Sequence, residues 1–227
     1  MCYIEAMLIP ADLVPAWWLW GAWLAYLPLL LRTLRGTDWS WLGEGARIHV
    51  FLGSCVALMV IWRLKAGVSP GLSFHFLGAT IATLMFGWRL ALAGFHLVLL
   101  GVTLNLGADW SAFPLNLLVK GGLPILVTML ALHLARRHMP AHVFVYIFVN
   151  GFFGAAAGVL AWIGATALLL GIADAYPAIE LVDGYVAFAP LMMFGEAWIT
   201  GMLAAIFVCY RPQWLATFDD ATYLRDS

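Results

Sequence analysis

Residues 143–172 read VFVYIFVNGFFGAAAGVLAWIGATALLLGI, without one Asp, Glu, Lys or Arg. A helix that crosses the hydrocarbon core of a bilayer needs about 20 consecutive apolar residues. As a single helix this stretch would be about 45 Å long, so we expect it to tilt or to extend beyond the bilayer. The pattern predicts a transmembrane helix from about His142 to Ile172.

The rest of the chain has the same character. Of its 227 residues, 64% are hydrophobic and 10% are charged, whereas soluble domains carry about a quarter charged residues. This composition excludes a soluble enzyme and a disordered segment, and a net charge of −1 gives no footprint for nucleic acid. No secretory signal peptide is expected, because Glu5 and Asp12 precede the first basic residue, Arg32. We predict an all-α integral membrane protein, with one transmembrane domain over 1–210 and a short cytoplasmic or interfacial tail over 211–227.

Further apolar segments bring the expected number of transmembrane helices to about seven. Residues 73–106 are too long for one crossing, so we expect two short helices joined at 87–89. A single broken helix, which would give six spans, is the alternative. The other predicted spans are Leu13–Leu31, Ile48–Leu64, Leu115–Ala135 and Tyr185–Tyr210.

Basic residues are distributed unequally between the predicted loops. With the N-terminus outside, the outer loops hold Arg63 and Lys65, and the loop 173–184 is acidic. Because basic residues favour the cytoplasmic side, we expect an N-out, C-in orientation in a bacterial cytoplasmic membrane. The basic residues of the predicted inner loops are Arg32, Arg35, Arg47, Arg89, Arg136, Arg137, Arg211 and Arg225.

Two ionisable residues, Lys120 and Glu196, lie within predicted spans, and Asn116 lies one helical turn before Lys120. A charge in hydrocarbon is costly, so such residues are candidates for function. They could form a proton or ion relay, or a buried polar contact that fixes the order of the helices. Both interpretations predict that Lys120 and Glu196 approach each other directly or through water.

Histidine and cysteine are the candidate metal ligands. His75 opens the third span on the predicted outer side, where a neutral imidazole could bind a transition metal or could instead bond a loop carbonyl. His96 and His133 lie within spans, but nothing around them indicates a haem site, and none is expected. Cys55 and Cys209 are expected to be buried apolar residues. No enzyme motif is present, so we expect no enzymatic activity.

The predicted sixth helix carries small residues along one face. They are Gly151, Gly154, Ala155 and Gly158. Small residues let helix backbones approach closely in lipid. We expect this face to pack inside the bundle; the alternative is a docking surface for another membrane subunit.

The stretch Gly71-Leu-Ser-Phe-His75-Phe-Leu-Gly78-Ala-Thr resembles the G-x-S-x-H-L-x-G-A segment of CbiM-like permeases. These are the cobalt- and nickel-binding membrane subunits of energy-coupling factor transporters. Pro114-Leu-Asn116 is similar to an asparagine segment of that family. The run that ends at Asn150 and residues 210–220 are similar to a proteobacterial branch of it.

The resemblance implies a bundle of six or seven helices with the N-terminus outside. In metal-binding members, the terminal amine, a histidine at position 2 and a histidine like His75 hold the metal in a planar arrangement of nitrogen atoms, which suits Ni(II) or Cu(II). Here position 2 is Cys2, whose thiolate would favour softer metals such as Cu(I) or Zn(II). If translation starts at Met7, Leu8 takes the place of the histidine and supplies no ligand.

Two functions follow from these observations. The first is a substrate-binding membrane subunit for a transition metal, with His75 and Cys2 as ligands and a separate ATPase-driven complex as partner. The second is a non-transporting accessory or assembly subunit with a degenerate metal site, surrounded by lipid and other membrane subunits. The twelve tryptophans suit extensive contacts with lipid or protein in either case.

Overall fold

The computed structural model describes residues 7–219, with gaps at 44 and 65, together with residue 223; residue 68 is described by its backbone alone. Its α-helices are α1 (Ala16–Gly36), α2 (Arg47–Ile61), α3 (Ala79–Leu106), α4 (Phe113–Leu117), α5 (Leu123–His138), α6 (Val143–Val145), α7 (Gly154–Ile172), α8 (Ala178–Gly184) and α9 (Ala189–Tyr210). The π-helical segments Leu118–Gly122 and Tyr146–Phe153 join α4 to α5 and α6 to α7. Strands β1 (Ala66–Ser69) and β2 (Leu72–Phe74) form an antiparallel hairpin.

Helices long and apolar enough to cross a bilayer are present, as the composition predicts. Within the described residues there are four, and α2 adds a shorter apolar helix of 15 residues. Large apolar side chains such as Leu126, Leu168 and Leu191 point outward from the bundle, as expected for a surface that faces lipid. The all-α membrane fold is therefore confirmed. The four spanning helices are Ala79–Leu106, Trp110–His138, Val143–Ile172 and Ala178–Tyr210.

Helix α3 is broken at Gly87, whose φ of 73° and ψ of 167° lie outside the helical region. The break falls within the predicted junction 87–89 and divides α3 into two helices, as the sequence predicts. Residues 75–78 are not helical, and the first piece of α3, 79–86, is about 12 Å long against a hydrocarbon core of about 30 Å. The number of membrane crossings within 73–106 stays a prediction.

One end of the bundle is rich in arginine, and we call it the arginine end. There Arg89 donates a hydrogen bond to the carbonyl of Gly36 (2.6 Å), and Arg136 donates to the carbonyl of Thr217 (2.7 Å). This end therefore brings together four parts of the chain: the end of α1, the break in α3, the end of α5 and the residues after α9.

The opposite end, which we call the acidic end, gathers the hairpin and the segment around α8. Ser69 in the hairpin donates to the carboxylate of Glu180 (2.6 Å). Arg63, just after α2, donates to Asn105 near the end of α3. Each long helix therefore runs between one end and the other, with α7 packed against α3, α5 and α9 in the centre.

The residues after α9 return to the bundle. The backbone N–H of Ala216 donates to the carbonyl of Met85 (2.9 Å). The backbone N–H and the hydroxyl of Thr217 donate to the carbonyl of Leu84 (3.3 and 2.9 Å). These bonds satisfy carbonyls that the break at Gly87 would otherwise leave without helical partners.

Candidate functional site

His75 reaches the core because the hairpin turns the chain inward. Gly71, with φ of 78°, makes the turn between the strands. Residues 75–78 then enter the bundle without forming a helix. The imidazole is 2% exposed and lies between the rings of Trp62 and Trp162, with centroid separations of 4.6 and 4.9 Å. Its Nδ1 lies 3.2 Å from the carbonyl oxygen of Phe76. A carbonyl accepts hydrogen bonds, so Nδ1 carries the proton and Nε2 the lone pair that could ligate a metal.

The segment Met7–Ile9 is also buried in the bundle. The backbone N–H of Ile9 donates to Oδ1 of Asn116 (2.8 Å), and Nδ2 of Asn116 donates to the carbonyl of Ile9 (3.0 Å). The carbonyl of Met7 accepts hydrogen bonds from the ammonium of Lys120 and from the hydroxyl of Ser73 (3.4 Å). Asn116 and Lys120 thus bind backbone groups of this segment at two points.

Lys120 lies in the π-helical segment 118–122 and is 1% exposed. Its ammonium is 5.3 Å from the ring centroid of Trp162, close enough for a cation–π interaction. Trp162 therefore contacts both Lys120 and His75. π-Helical segments are rare and often occur at functional sites, because they displace a side chain from the regular helical pattern.

Glu196, in α9, does not form the expected direct contact with Lys120. Its carboxylate is 3% exposed and accepts hydrogen bonds from the backbone N–H groups of Leu77 (2.7 Å) and Gly78 (2.6 Å). These two groups precede the first turn of α3, where helical N–H groups have no partner within the helix and a negative charge is favourable. Across the described residues no ion pair joins Glu196 to Lys120, because each side chain is committed to a different backbone segment.

The small residues of the sixth predicted helix lie inside the bundle. A Cβ added to Gly151 would be 3.3 Å from the Cβ of Ala204 in α9. Additions to Gly154 and Gly158 would approach Thr80 in α3, at 3.8 and 3.6 Å. Ala155, between them, is buried. This face is therefore covered by the neighbouring helices α3 and α9.

The other candidate ligands are not gathered around His75. Nδ1 of His96 bonds the carbonyl of Leu92 in its own helix (2.7 Å), and Cys55 is buried against α3. Cys209 is exposed, contrary to the expectation that it is buried, because it lies on an outward face of α9. Cys2 lies outside the described residues. In the part of the chain that the structure describes, no group of three or more His, Cys, Asp or Glu residues could hold a metal ion.

Several residues of this site were not identified from the sequence. The rings of Trp62 and Trp162 lie on either side of His75, and the carbonyl of Met7 accepts a hydrogen bond from Lys120. The sequence does not distinguish a tryptophan that lines a site from one that only packs against its neighbours in the membrane. The carbonyl of Met7 could not be found either, since backbone acceptors leave no pattern in a sequence.

Comparison with known proteins identifies the family of this chain. A family model described as CbiM, the cobalt uptake substrate-specific transmembrane region, matches residues 9–214. Those residues contain His75, Asn116, Lys120 and Glu196. No curated protein and no solved structure matches the chain. Since the family model covers most of the sequence, the chain belongs to the CbiM family, the transmembrane components of cobalt uptake.

Proposed function

We propose that this protein is the substrate-binding membrane subunit of an energy-coupling factor transporter, and that it captures a transition metal ion from outside a bacterial cytoplasmic membrane. A separate ATPase and a further membrane subunit would supply the energy. The observation that carries this proposal is that Asn116 and Lys120 bind the buried segment 7–9, while Lys120 also contacts the ring of Trp162 that packs on His75.

The distribution of charge supports an orientation with the arginine end in the cytoplasm. Arg89 and Arg136 lie at that end, and Glu180 lies at the other. Because basic residues favour the cytoplasmic side, the acidic end faces outward. The chain then crosses the membrane seven times if residues 66–86, the hairpin with the first piece of α3, count as one crossing.

The ligands of the metal would be Nε2 of His75 and groups supplied by the residues before Met7. A terminal amine would add a nitrogen donor, and the Cys2 thiolate would add a soft donor. Nitrogen donors favour Ni(II) or Cu(II), and a thiolate moves the preference towards Cu(I) or Zn(II). The identity of the N-terminal residue therefore decides which metal binds.

A second function has one observation in its favour. The resemblance implies a histidine at position 2, and this chain has Cys2 there. An accessory subunit that keeps the fold but has lost its metal site would account for the missing histidine.

The decisive experiment measures metal bound to the full chain purified in detergent, with its intact mass recorded to fix the N-terminus. We expect about one equivalent of Co, Ni, Cu or Zn per chain at neutral pH, lost in His75→Gln and retained in the control His96→Gln. The imidazole of His96 bonds the carbonyl of Leu92 in its own helix. Absence of stoichiometric metal in the wild type, or equal loss in both variants, would reject transport; a metal-free complex with a larger membrane assembly would support the accessory function.

A further inference from the structure

A narrow groove lies between α2 and α9 on the outside of the bundle. Both helices pack on α3, and the space between them has a volume of about 360 Å³. One wall is the face of α2 from His49 to Ile61, and the other includes Leu203 and Phe207 of α9. The floor is the first piece of α3, around Met85.

The walls of this groove are apolar over most of its length. Within the described chain, no Asp, Glu, Lys or Arg lines it. The hydroxyl of Ser54, in the α2 wall, donates to the carbonyl of Val50 in the same helix (2.8 Å), so its one donor is already used. A ligand that fills the groove therefore has to be hydrocarbon along most of its length.

The dimensions of the groove distinguish a lipid chain from a helix. The distance along α2 from His49 to Ile61 is about 18 Å, at 1.5 Å per residue. A volume of about 360 Å³ over that length gives a mean cross-section of about 20 Å². A helix with its side chains is about 10–12 Å wide and needs a cross-section of about 80–110 Å². One extended hydrocarbon chain therefore fits, whereas a helix of another subunit could insert only side chains.

The polar groups beside the groove lie at its arginine end. His49 is in the first turn of α2, and Trp214 follows α9. The guanidinium of Arg211 is exposed and lies 6.0 Å from the ring centroid of Trp214. Imidazole and guanidinium groups both donate hydrogen bonds to phosphate. Half of a hydrocarbon core is about 15 Å thick, so a lipid of one leaflet with its chain in the groove has its phosphate at this end.

We propose that this groove binds one phospholipid, with an acyl chain between α2 and α9 and the phosphate against Arg211 and His49. The site does not depend on the proposed function, because none of the residues that form it is a candidate metal ligand. Its floor is the first piece of α3, so the bound chain stabilises the short helix that follows His75.

The test measures lipid bound to the full chain by native mass spectrometry in detergent. Three probes separate the parts of the ligand: phosphatidylglycerol, the diacylglycerol with the same chains, and glycerol phosphate, which has no chains. We expect one tightly bound phosphatidylglycerol per chain, weaker binding of the diacylglycerol and no binding of glycerol phosphate. Equal affinity for phosphatidylglycerol and the diacylglycerol, or binding of glycerol phosphate alone, would contradict the proposed site.

Two matched pairs of variants locate the lipid. Gly53→Leu fills the groove from the α2 wall, and Gly164→Leu makes the same change on α7, outside the groove; a Cβ at either glycine meets nothing within 4 Å. The first should abolish binding of phosphatidylglycerol, and the second should leave it unchanged. Arg211→Gln should weaken binding about fivefold, the factor expected for one unit charge at about 4 Å in water. Arg137→Gln, at an exposed position near the end of α5, should not.

Thermal unfolding shows whether the groove variant is still folded. Without lipid, the Tm of Gly53→Leu should equal that of the wild type, and added phosphatidylglycerol should raise the Tm of the wild type only. If Gly53→Leu does not fold, Ala57→Leu, one turn further along the same wall, takes its place.

Three results would overturn the inference. The first is unchanged lipid binding when the groove is filled. The second is an equal loss in the matched control, Gly164→Leu or Arg137→Gln. The third is a dimer in place of a lipid-bound monomer, dissociated by Gly53→Leu, which would assign the groove to a second copy of the chain.

Discussion

Replacing Glu196 tests the contact that starts α3 in the middle of the bundle. Its carboxylate accepts the backbone N–H groups of Leu77 and Gly78, at 2.7 and 2.6 Å. Glu196→Ala removes both acceptors and leaves the buried N–H of Leu77 and the partly buried N–H of Gly78 without partners, which costs about 1–3 kcal/mol for a buried donor and less for the other, or up to about 6 kcal/mol in total. Glu196→Gln keeps one acceptor oxygen and should lower the free energy of unfolding by about half as much.

Thermal unfolding in detergent, followed by tryptophan fluorescence, measures the effect. A loss of 1 kcal/mol lowers Tm by about 2–4 °C in a domain of 150–250 residues. We therefore expect the order wild type, Glu196→Gln, Glu196→Ala, with steps of several degrees, and no change in the exposed control Asp183→Asn. Equal Tm values for the wild type and Glu196→Ala would show that this carboxylate does not hold the start of α3.

Two other contacts give predictions of the same kind. Lys120→Met removes the charged hydrogen bond to the carbonyl of Met7, worth about 1.5–3 kcal/mol, so amide hydrogen exchange in residues 8–9 should accelerate about tenfold or more; unchanged exchange would contradict the role given to Lys120. Gly78→Ala should lower Tm more than Gly107→Ala. Both glycines have positive φ, of 69° and 62°, but a Cβ at position 78 would lie 2.3 Å from Leu58, whereas position 107 is open. Similar losses in the two variants would show that backbone strain alone matters.

The sequence predicts the membrane fold well because apolar composition is a property of each segment. The continuous helix Val143–Ile172 lies within one residue of its predicted bounds, and Trp110–His138 and α9 lie within about five residues of theirs. Residues 73–106 differ from the prediction at their start, because His75 follows a hairpin strand and does not open a helix. Hydropathy cannot separate a buried strand such as Leu72–Phe74 from the start of a helix, since both are apolar.

The candidate site was predicted as individual residues and not as a constellation. His75, Lys120, Asn116 and Glu196 stand out because polar groups in apolar spans are rare. Which of them meet depends on how the helices pack, and a buried ammonium can also donate to backbone carbonyls, as Lys120 does to Met7. The expected Lys120–Glu196 contact therefore had no support beyond the sign of the two charges.

The return of the chain after α9 has a practical consequence for anyone attaching a reporter to this protein. Ala216 and Thr217 supply the donors that finish the first piece of α3. A green fluorescent or phosphatase fusion joined directly after Arg211 would delete them and disturb the helix that follows His75. Fusions intended to map orientation should keep the native sequence through residue 227. The absence of a reporter signal then reflects the side of the membrane on which the reporter lies, and not a damaged fold.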